Sequence, residues 1–226
     1  MLVHPVDFVG MCMYRGFVPR GYRHICLPEY PEDEIKISET FKEIKNPMVI
    51  HPGKHWPSKT IPAQWWKEIV REVYLQGFTP VIVGKHVDEN VGYVDFEIDP
   101  GEVPKYFDYR DRLSIKEFIW LAKNTPFLLS NDSAIIHAAA AGFAKIYYVA
   151  SCKHPDFLEH YRYGLQGADM VNVGNDGAWN YLDCAPTKKE DVEVKDLPEG
   201  CEWDNILPEP AELAERIRRG ILNKEM

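Results

Sequence analysis

The hydrophobic and polar positions from residue 47 onward alternate between two periodicities. Four short apolar runs have the length and composition of buried strands: residues 48–50, 80–83, 127–130 and 145–149. Between the first two runs, a segment from Pro62 to a stop at Gly77 carries apolar residues four positions apart: Trp65, Ile69 and Val73. Strands that alternate with helices are typical of a parallel sheet covered by helices. We therefore predict an α/β domain with a Rossmann-like sheet over residues 47–185.

Weaker patterns complete this domain. Apolar and acidic residues alternate over residues 94–98, which predicts a half-buried strand. Ser114 and Glu117 form a capping-box pattern for a helix that ends near Asn124. Residues 169–173 are a candidate for one more strand.

The two ends of the chain are predicted to be appendages of this domain. Residues 1–46 mix aromatic residues, glycines and prolines, so we expect an irregular arm or partial domain with one short helix over 38–45. Residues 186–226 are predicted to form a proline-bounded loop and a final amphipathic helix, 211–222, that packs on the domain.

The stretch from Ser130 to Gly142 is predicted to turn sharply from a strand into a small-residue helix. Asn131, Asp132 and Ser133 are helix N-cap residue types, so we expect one or more of their side chains to satisfy the first free N–H groups of the helix. Gly142 suits the left-handed position that ends a helix. Such a turn can hold an anion, although most residues of this kind act only as caps.

Ligands of parallel α/β sheets bind beyond the carboxyl ends of the strands. Three predicted loops share that rim: residues 51–59, 84–89 and 131–137. In the first loop, Gly53 would allow close backbone approach, and Lys59 can place a point charge on a phosphate. Lys54 is predicted to be an ordinary solvated lysine.

Composition and charge exclude several classes of function. The net charge of −9 argues against a general nucleic-acid or anionic-membrane surface, because both require clustered Lys and Arg. No apolar run approaches the roughly 20 residues that cross a bilayer. The N-terminus lacks the basic and apolar pattern of a secretory signal, so we expect a cytoplasmic protein. Five scattered cysteines without a CxxC pair suggest free thiols rather than disulfides or a zinc site.

Two motifs, taken together, resemble a known family. HPG followed by Lys59, Pro62 and a tryptophan, and then SNDSAIIHAAAAG followed by KIYYVAS, look like the carboxyl-terminal nucleotide-sugar domain of glycosyltransferase family 9, the heptosyltransferases. The resemblance covers about residues 47–160, and it implies a single donor domain of a GT-B fold. Such a domain binds a nucleotide-linked sugar, of the ADP-heptose type, as substrate. The implied reaction is a transfer with inversion that needs no metal or other cofactor.

The resemblance also implies roles for individual residues. Lys59 matches the lysine that faces the donor phosphate, and Asp132 matches the aspartate beside the sugar and diphosphate. Ser133 would hold phosphates together with the helix start. Asn131, Gly53 and His137 complete the expected donor site, although His137, a lone histidine on an apolar helix, is more often a packed structural residue.

This chain departs from the family pattern at three points. Ala134 stands where the family usually has a glycine. Lys85 and His86 replace the usual acidic residue that contacts ribose, which leaves Asp88 or Glu89 as substitutes. In the family, an amino-terminal half binds the acceptor and supplies the catalytic base, and we expect this sequence to lack it, since residues 1–45 are too few to form it. No catalytic residue is therefore assigned, and a second subunit is one way to supply the acceptor site.

Three readings stay open at this point. The first is an active glycosyltransferase whose acceptor is unknown. The second is a non-catalytic module, derived from a donor domain, that binds nucleotide sugars or serves in assembly. The third and weakest is another α/β enzyme, of the sugar-nucleotide epimerase or phosphorylase type.

Overall fold

A computed structural model describes residues 27–55, 59–89, 91–151, 169–175 and 203–222 of the chain. Its centre is a six-stranded sheet in which all paired neighbours run parallel. The strands of this sheet are β1 Pro47–His51, β3 Thr79–Ile82, β5 Phe107–Asp108, β6 Phe127–Asn131, β7 Lys145–Val149 and β8 Asp169–Asn172. Two short strands, β2 Gly53–Lys54 and β4 Gly92–Tyr93, pair antiparallel as a separate ribbon. The predicted Rossmann-like α/β fold is confirmed.

Helices cover both faces of the sheet. The described helices are α1 Ile37–Lys42, α2 Ala63–Leu75, α3 Ile115–Asn124, α4 Ala134–Ala139, α5 Trp203–Ile206 and α6 Pro210–Leu222. A single 3-10 turn, Glu32–Glu34, precedes α1. Helices α2 and α6 pack on one face, while α1, α3 and α4 pack on the other. Successive residues of β1 point to opposite faces, so Met48 and Ile50 join the first core cluster and Val49 joins the second.

The strand order β5-β3-β1-β6-β7-β8 places a topological switch point between β1 and β6. After β1 the chain turns to α2 on one face, and after β6 it turns to α4 on the other. The two connections therefore diverge, and a crevice opens between them at the carboxyl ends of the strands. The position of this crevice is set by the backbone course rather than by any one side chain.

Several predicted helix and strand boundaries are confirmed to within one or two residues. Helix α2 begins after Pro62, and Gly77, with φ of 89°, ends it in a conformation that favours glycine. The capping box at α3 is present, since Ser114 Oγ accepts a hydrogen bond from Glu117 N and Glu117 accepts one from Ser114 N. In the part of the chain that is described, no helix has both the length and the apolar character needed to cross a bilayer.

The predicted strand over residues 94–98 is wrong. Only Gly92 and Tyr93 pair as a strand, and Val94 N donates to Pro52 O at 2.7 Å before the chain leaves the ribbon. Val94 and Phe96 are nevertheless buried, so the alternation reflects burial without a strand partner. Strand β5 and helix α5 were not predicted, because both are too short to show a periodicity.

Two expectations about the stretch before Gly142 are also wrong. Ser133 is the N-cap residue of α4, but its side chain makes no capping hydrogen bond. Gly142 is not left-handed: the described glycines with positive φ are Gly77 and Gly92. A Cβ atom at Gly142 would instead lie 2.1 Å from the carbonyl oxygen of Lys123. The glycine is needed because the end of α3 passes against it.

The domain boundaries near residues 46 and 186 stay predictions. Residues 35–44 pack against the sheet through Ile35, Phe41 and Ile44, which all belong to the second core cluster. Two interpretations of the sequence concern residues outside the described ranges. Asp7 offers no argument for a role as catalytic base, and the tyrosines and histidines of residues 154–163 are predicted either to line the acceptor side or to pack as a surface loop.

Candidate functional site

A cavity of about 640 Å³ lies at the switch point. All three predicted rim loops contribute to its lining. The end of β1 and the segment after it supply His51, Gly53, Lys54, His55 and Lys59. The loop after β3 supplies Gly84, Lys85 and Val87. The end of β6, the turn after it and the first residues of α4 supply Asn131, Asp132, Ser133, Ala134 and His137. Its volume falls within the range of small-molecule sites.

An apolar wall of the cavity was not predicted. Leu113, Ile115 and Phe118, at the start of α3, line it together with Val87. Ile115 and Val87 are 69% and 76% exposed, so the lining of the cavity includes two large apolar side chains in contact with solvent. One signal in the sequence could have indicated this wall, because the capping box at Ser114 places Ile115 at a helix start. In parallel α/β units, helix starts and strand ends share one edge of the sheet.

Lys59 and Asp132 form an ion pair inside the cavity. Lys59 Nζ donates to Asp132 Oδ2 at 2.5 Å, and the two side chains are only 13% and 8% exposed. The structure therefore brings together the two residues that the sequence singled out from loops 73 positions apart. Because water is largely excluded, the pair holds the ammonium group at a defined place in the lining.

Asn131 fastens the loop that carries Lys59. Its side-chain oxygen accepts from Gly53 N at 3.1 Å, and its nitrogen donates to Gly53 O at 2.9 Å and to Lys59 O at 2.5 Å. A Cβ at Gly53 would lie 2.6 Å from this oxygen, so Gly53 is required for the approach of Asn131. The amide is thus engaged with backbone groups, and Asn131 positions Lys59 rather than offering its own side chain to a ligand.

Replacing Asn131 with alanine is expected to lower the free energy of unfolding by about 2 kcal/mol, because the buried Gly53 N–H loses its acceptor. Urea denaturation measures this change. Asn124→Ala is the matched control, since Asn124 is exposed and its amide donates to the nearby Trp120 carbonyl. Equal, small losses in the two variants would contradict the fastening role of Asn131.

His51 lies buried at the floor of the cavity, beside two serines. Its Nδ1 is 3.2 Å from Ser133 Oγ and 3.4 Å from Ser130 Oγ, and its ring meets Phe118 edge-on with centroids 5.8 Å apart. Burial lowers the pKa of His51 to about 4, against a smaller opposing effect from a hydrogen bond to its backbone. The imidazole is therefore neutral at physiological pH.

This shift predicts a pH dependence of stability. Above pH 6.5, His51 is neutral in both the folded and the unfolded chain. As the pH falls from 6.5 towards 4, His51 binds a proton in the unfolded chain but not in the folded chain, so the folded state loses stability. The contribution of His51 should fall by about 2 kcal/mol between pH 7 and pH 5.

Urea denaturation of the wild type and His51→Asn at both pH values isolates this contribution, because carboxylate titrations cancel in the difference. The His51→Asn variant should lose less stability on acidification than the wild type. His55→Asn, at an exposed histidine, is the control and should follow the wild-type curve. Parallel curves for all three proteins would contradict the predicted shift.

Of the remaining residues that the sequence analysis discussed for this site, some line the cavity and others do not. His137 is half-buried in the cavity lining, and Lys54 also lines it while its Nζ donates to Glu89 O at 2.8 Å. Asp88 and Glu89 are exposed and do not belong to the lining. Asp88 Oδ1 accepts from Val91 N at 2.9 Å, which shapes its own loop.

The described lining is rich in positive groups. Lys54, Lys59 and Lys85 contribute to it, whereas Asp132, already paired with Lys59, is its one carboxylate among the described residues. This balance contrasts with the net charge of −9 for the whole chain. In the described ranges, no three His, Cys, Asp or Glu side chains cluster as metal ligands. The expected independence from a metal stays a prediction.

The fold and the rim cavity define a Rossmann-like α/β domain, and comparisons with known proteins identify its family. The sequence profile of glycosyltransferase family 9 (heptosyltransferase) matches residues 22–145, more than half of the 226 residues. The chain belongs to this family. No curated protein matches the sequence.

One solved structure supports the fold. The E. coli ADP-heptose lps heptosyltransferase II is similar over 88% of this chain and 54% of its own, with a TM-score of 0.56 and 14% identity. A family 9 glycosyl transferase from Veillonella parvula has a TM-score of 0.47 and 16% identity, over 66% of this chain and 41% of its own. The heptosyltransferase TibC, in complex with ADP-D-beta-D-heptose, has a TM-score of 0.49 and 13% identity, over 80% and 48%. This chain spans about half the length of these proteins.

Proposed function

We propose that this protein binds a nucleoside-diphosphate sugar of the ADP-heptose type in the cavity between β1 and β6 and transfers the sugar, with inversion, to an acceptor. Membership of glycosyltransferase family 9 supports this reading over an epimerase or a phosphorylase. The E. coli neighbour is an ADP-heptose heptosyltransferase, which suggests the donor.

The observation that carries the proposal is the charge of the cavity. Three lysines line a space that has room for a nucleotide, and its one described carboxylate already has a lysine partner. Phosphates are the natural ligands of such a cationic site beside the end of a sheet. The open apolar side chains of Val87 and Ile115 provide surfaces for the less polar part of the ligand.

Individual residues have distinct parts in this proposal. Lys59 neutralises charge on the diphosphate, both in the bound donor and on the departing nucleotide, which is electrostatic assistance otherwise given to a metal ion. Asp132 holds the Lys59 ammonium in place and lies where the sugar would meet the diphosphate. Ser133 offers a hydroxyl to the phosphates.

A second candidate is a non-catalytic module that binds nucleotide sugars. The specific observation in its favour is that the one carboxylate of the described lining, Asp132, is already paired with Lys59, so no carboxylate there is available as a general base. In the GT-B architecture implied by the sequence resemblance, the other half binds the acceptor and supplies the general base. A second subunit that supplies this half would make the first candidate complete.

A ligand panel separates the two candidates. Purified protein is titrated with ADP, UDP and GDP by calorimetry, with AMP and inorganic phosphate as controls. ADP is expected to bind more tightly than AMP, because only ADP places a diphosphate on Lys59. Mass spectrometry of a mixture with ADP-heptose then follows loss of the sugar.

The outcomes of this ligand panel distinguish the enzyme from the binding module. Binding together with ADP release or sugar transfer supports the enzyme. Binding without turnover selects the module. A protein that binds none of the three diphosphates contradicts both candidates.

A further inference from the structure

A cluster of three side chains, the buried His51 and Ser130 and the half-buried Ser133, lies at the proposed phosphate position. Ser130 Oγ donates to the carbonyl oxygen of His51 at 2.9 Å and lies 3.0 Å from Ser133 Oγ. Ser133 Oγ lies 3.2 Å from His51 Nδ1. Of the three, His51 and Ser133 also line the cavity.

Counting hydrogens limits how this cluster can be arranged. The single Ser130 hydrogen has two acceptors within reach, the His51 carbonyl at 2.9 Å and Asn131 Oδ1 at 3.5 Å. With its hydrogen used there, Ser130 Oγ can only accept from Ser133 Oγ and His51 Nδ1. His51 is neutral and carries one ring hydrogen, at Nδ1 or at Nε2. With the hydrogen at Nδ1, the ring donates to Ser133 Oγ, and the Ser133 hydrogen is left for Ser130 or for a ligand. With the hydrogen at Nε2, Ser133 must donate to the ring, and it then has no hydrogen for a ligand.

The Ser133 hydroxyl is not used to cap the helix that follows it. Ser133 is the N-cap residue of α4, yet its hydroxyl makes no hydrogen bond to the backbone of that helix. The Ser133 hydroxyl therefore contacts His51 and Ser130 instead of the backbone N–H groups that an N-cap serine usually binds. In this position the hydroxyl faces the histidine on one side and belongs to the cavity lining on the other.

We propose that His51 is a positioning residue that donates from Nδ1 to Ser133 Oγ and so directs the Ser133 hydrogen onto an anionic phosphate oxygen of the nucleotide. This inference rests on the proposed function of the cavity. In the empty site the Ser133 hydrogen goes to Ser130, and a bound phosphate takes it over. A donor that is fixed before the ligand arrives loses less entropy on binding than a freely rotating hydroxyl.

Calorimetric titration with ADP tests this role in matched variants. His51→Phe keeps the ring against Phe118 and removes the hydrogen bond, whereas His51→Asn keeps an N–H donor near the Nδ1 position. We expect His51→Phe to weaken ADP binding about tenfold and His51→Asn to restore it to within about threefold of the wild type. In a Ser133→Ala background, His51→Phe should change the affinity less than about twofold, because its effect passes through the Ser133 hydroxyl.

A second measurement needs no variant. In ¹⁵N–¹H NMR spectra of the wild type, the His51 ring hydrogen should be found on Nδ1, and its signal should shift when ADP is added. A hydrogen on Nε2 alone would overturn the proposal. So would an equal loss of affinity from His51→Phe with and without Ser133.

These failures are distinguishable from failure of the proposed function. If the wild type binds ADP but the two effects are additive, only the role of His51 is overturned. If the wild type does not bind ADP, the nucleotide site and the positioning role are rejected together. Thermal unfolding of each variant without ligand verifies that it is folded before its affinity is compared.

Discussion

Lys59→Ala should weaken ADP binding about a hundredfold, a loss of about 2.7 kcal/mol, because it removes a charge-assisted contact to the diphosphate in a site with little water. The Lys59 side chain is 13% exposed, so bulk solvent screens its charge poorly. Calorimetry or thermal shift with ADP measures the loss. Lys67→Ala is the control, since Lys67 lies on the exposed side of α2 and should leave the affinity unchanged.

The same change also leaves Asp132 without its ion-pair partner. Removing one member of a poorly exposed pair costs about 3 kcal/mol of folding stability, so Lys59→Ala should also unfold at lower urea concentration. The double variant Lys59→Ala/Asp132→Asn removes the uncompensated charge and should recover most of this stability. It should not recover ADP affinity. An affinity that returns with stability would show that Lys59 acts on the fold and not on the ligand.

The second large effect is expected at Gly142, which does not line the cavity. An alanine Cβ there would lie 2.1 Å from the Lys123 carbonyl oxygen and within 3.0 Å of two further Lys123 backbone atoms. Backbone atoms cannot rotate away, so α3 and the end of α4 would have to separate. We expect Gly142→Ala to lower the free energy of unfolding by about 4 kcal/mol or more.

Gly220→Ala is the matched control for this prediction. Gly220 lies inside α6, and its Cβ would meet only Lys145 Nζ at 3.6 Å, an ordinary contact. Alanine is a better helix former than glycine, so this variant should be unchanged or more stable by up to about 1 kcal/mol. Urea denaturation of both variants gives the comparison. A Gly142→Ala loss below 1 kcal/mol would mean that the two helices are not held in contact.

The fold could be predicted from the sequence because its signals are local. The capping box at Ser114 and the apolar spacing of α2 each depend on residues within one element, and both are found as expected. The error at residues 94–98 arises because a strand depends on contacts outside the segment itself. Burial of Val94 and Phe96 produces the alternation of a strand, but a strand also needs a neighbour with free hydrogen-bonding groups, and this depends on the tertiary arrangement.

Within the site, the sequence could indicate which residues meet but not how they interact. The rim rule brought Lys59 and Asp132 to one place, yet their direct pairing depends on the geometry of two loops. Asn131 was interpreted as a helix cap and as a ligand contact, whereas its amide binds backbone groups 78 residues away. His51 was read only as part of a loop, because its role appears once Ser133 is placed beside it.

The switch point between β1 and β6 has a consequence for how this protein can diverge. The crevice exists because two chain connections leave the sheet in opposite directions, so its existence does not depend on the residues in the loops around it. Substitutions in those loops can therefore change ligand preference while the strands beneath stay intact. Lys85 and His86 lie on such a loop, just beyond β3. Single substitutions in the loops around the cavity can thus alter which ligand is bound without changing the sheet that supports them.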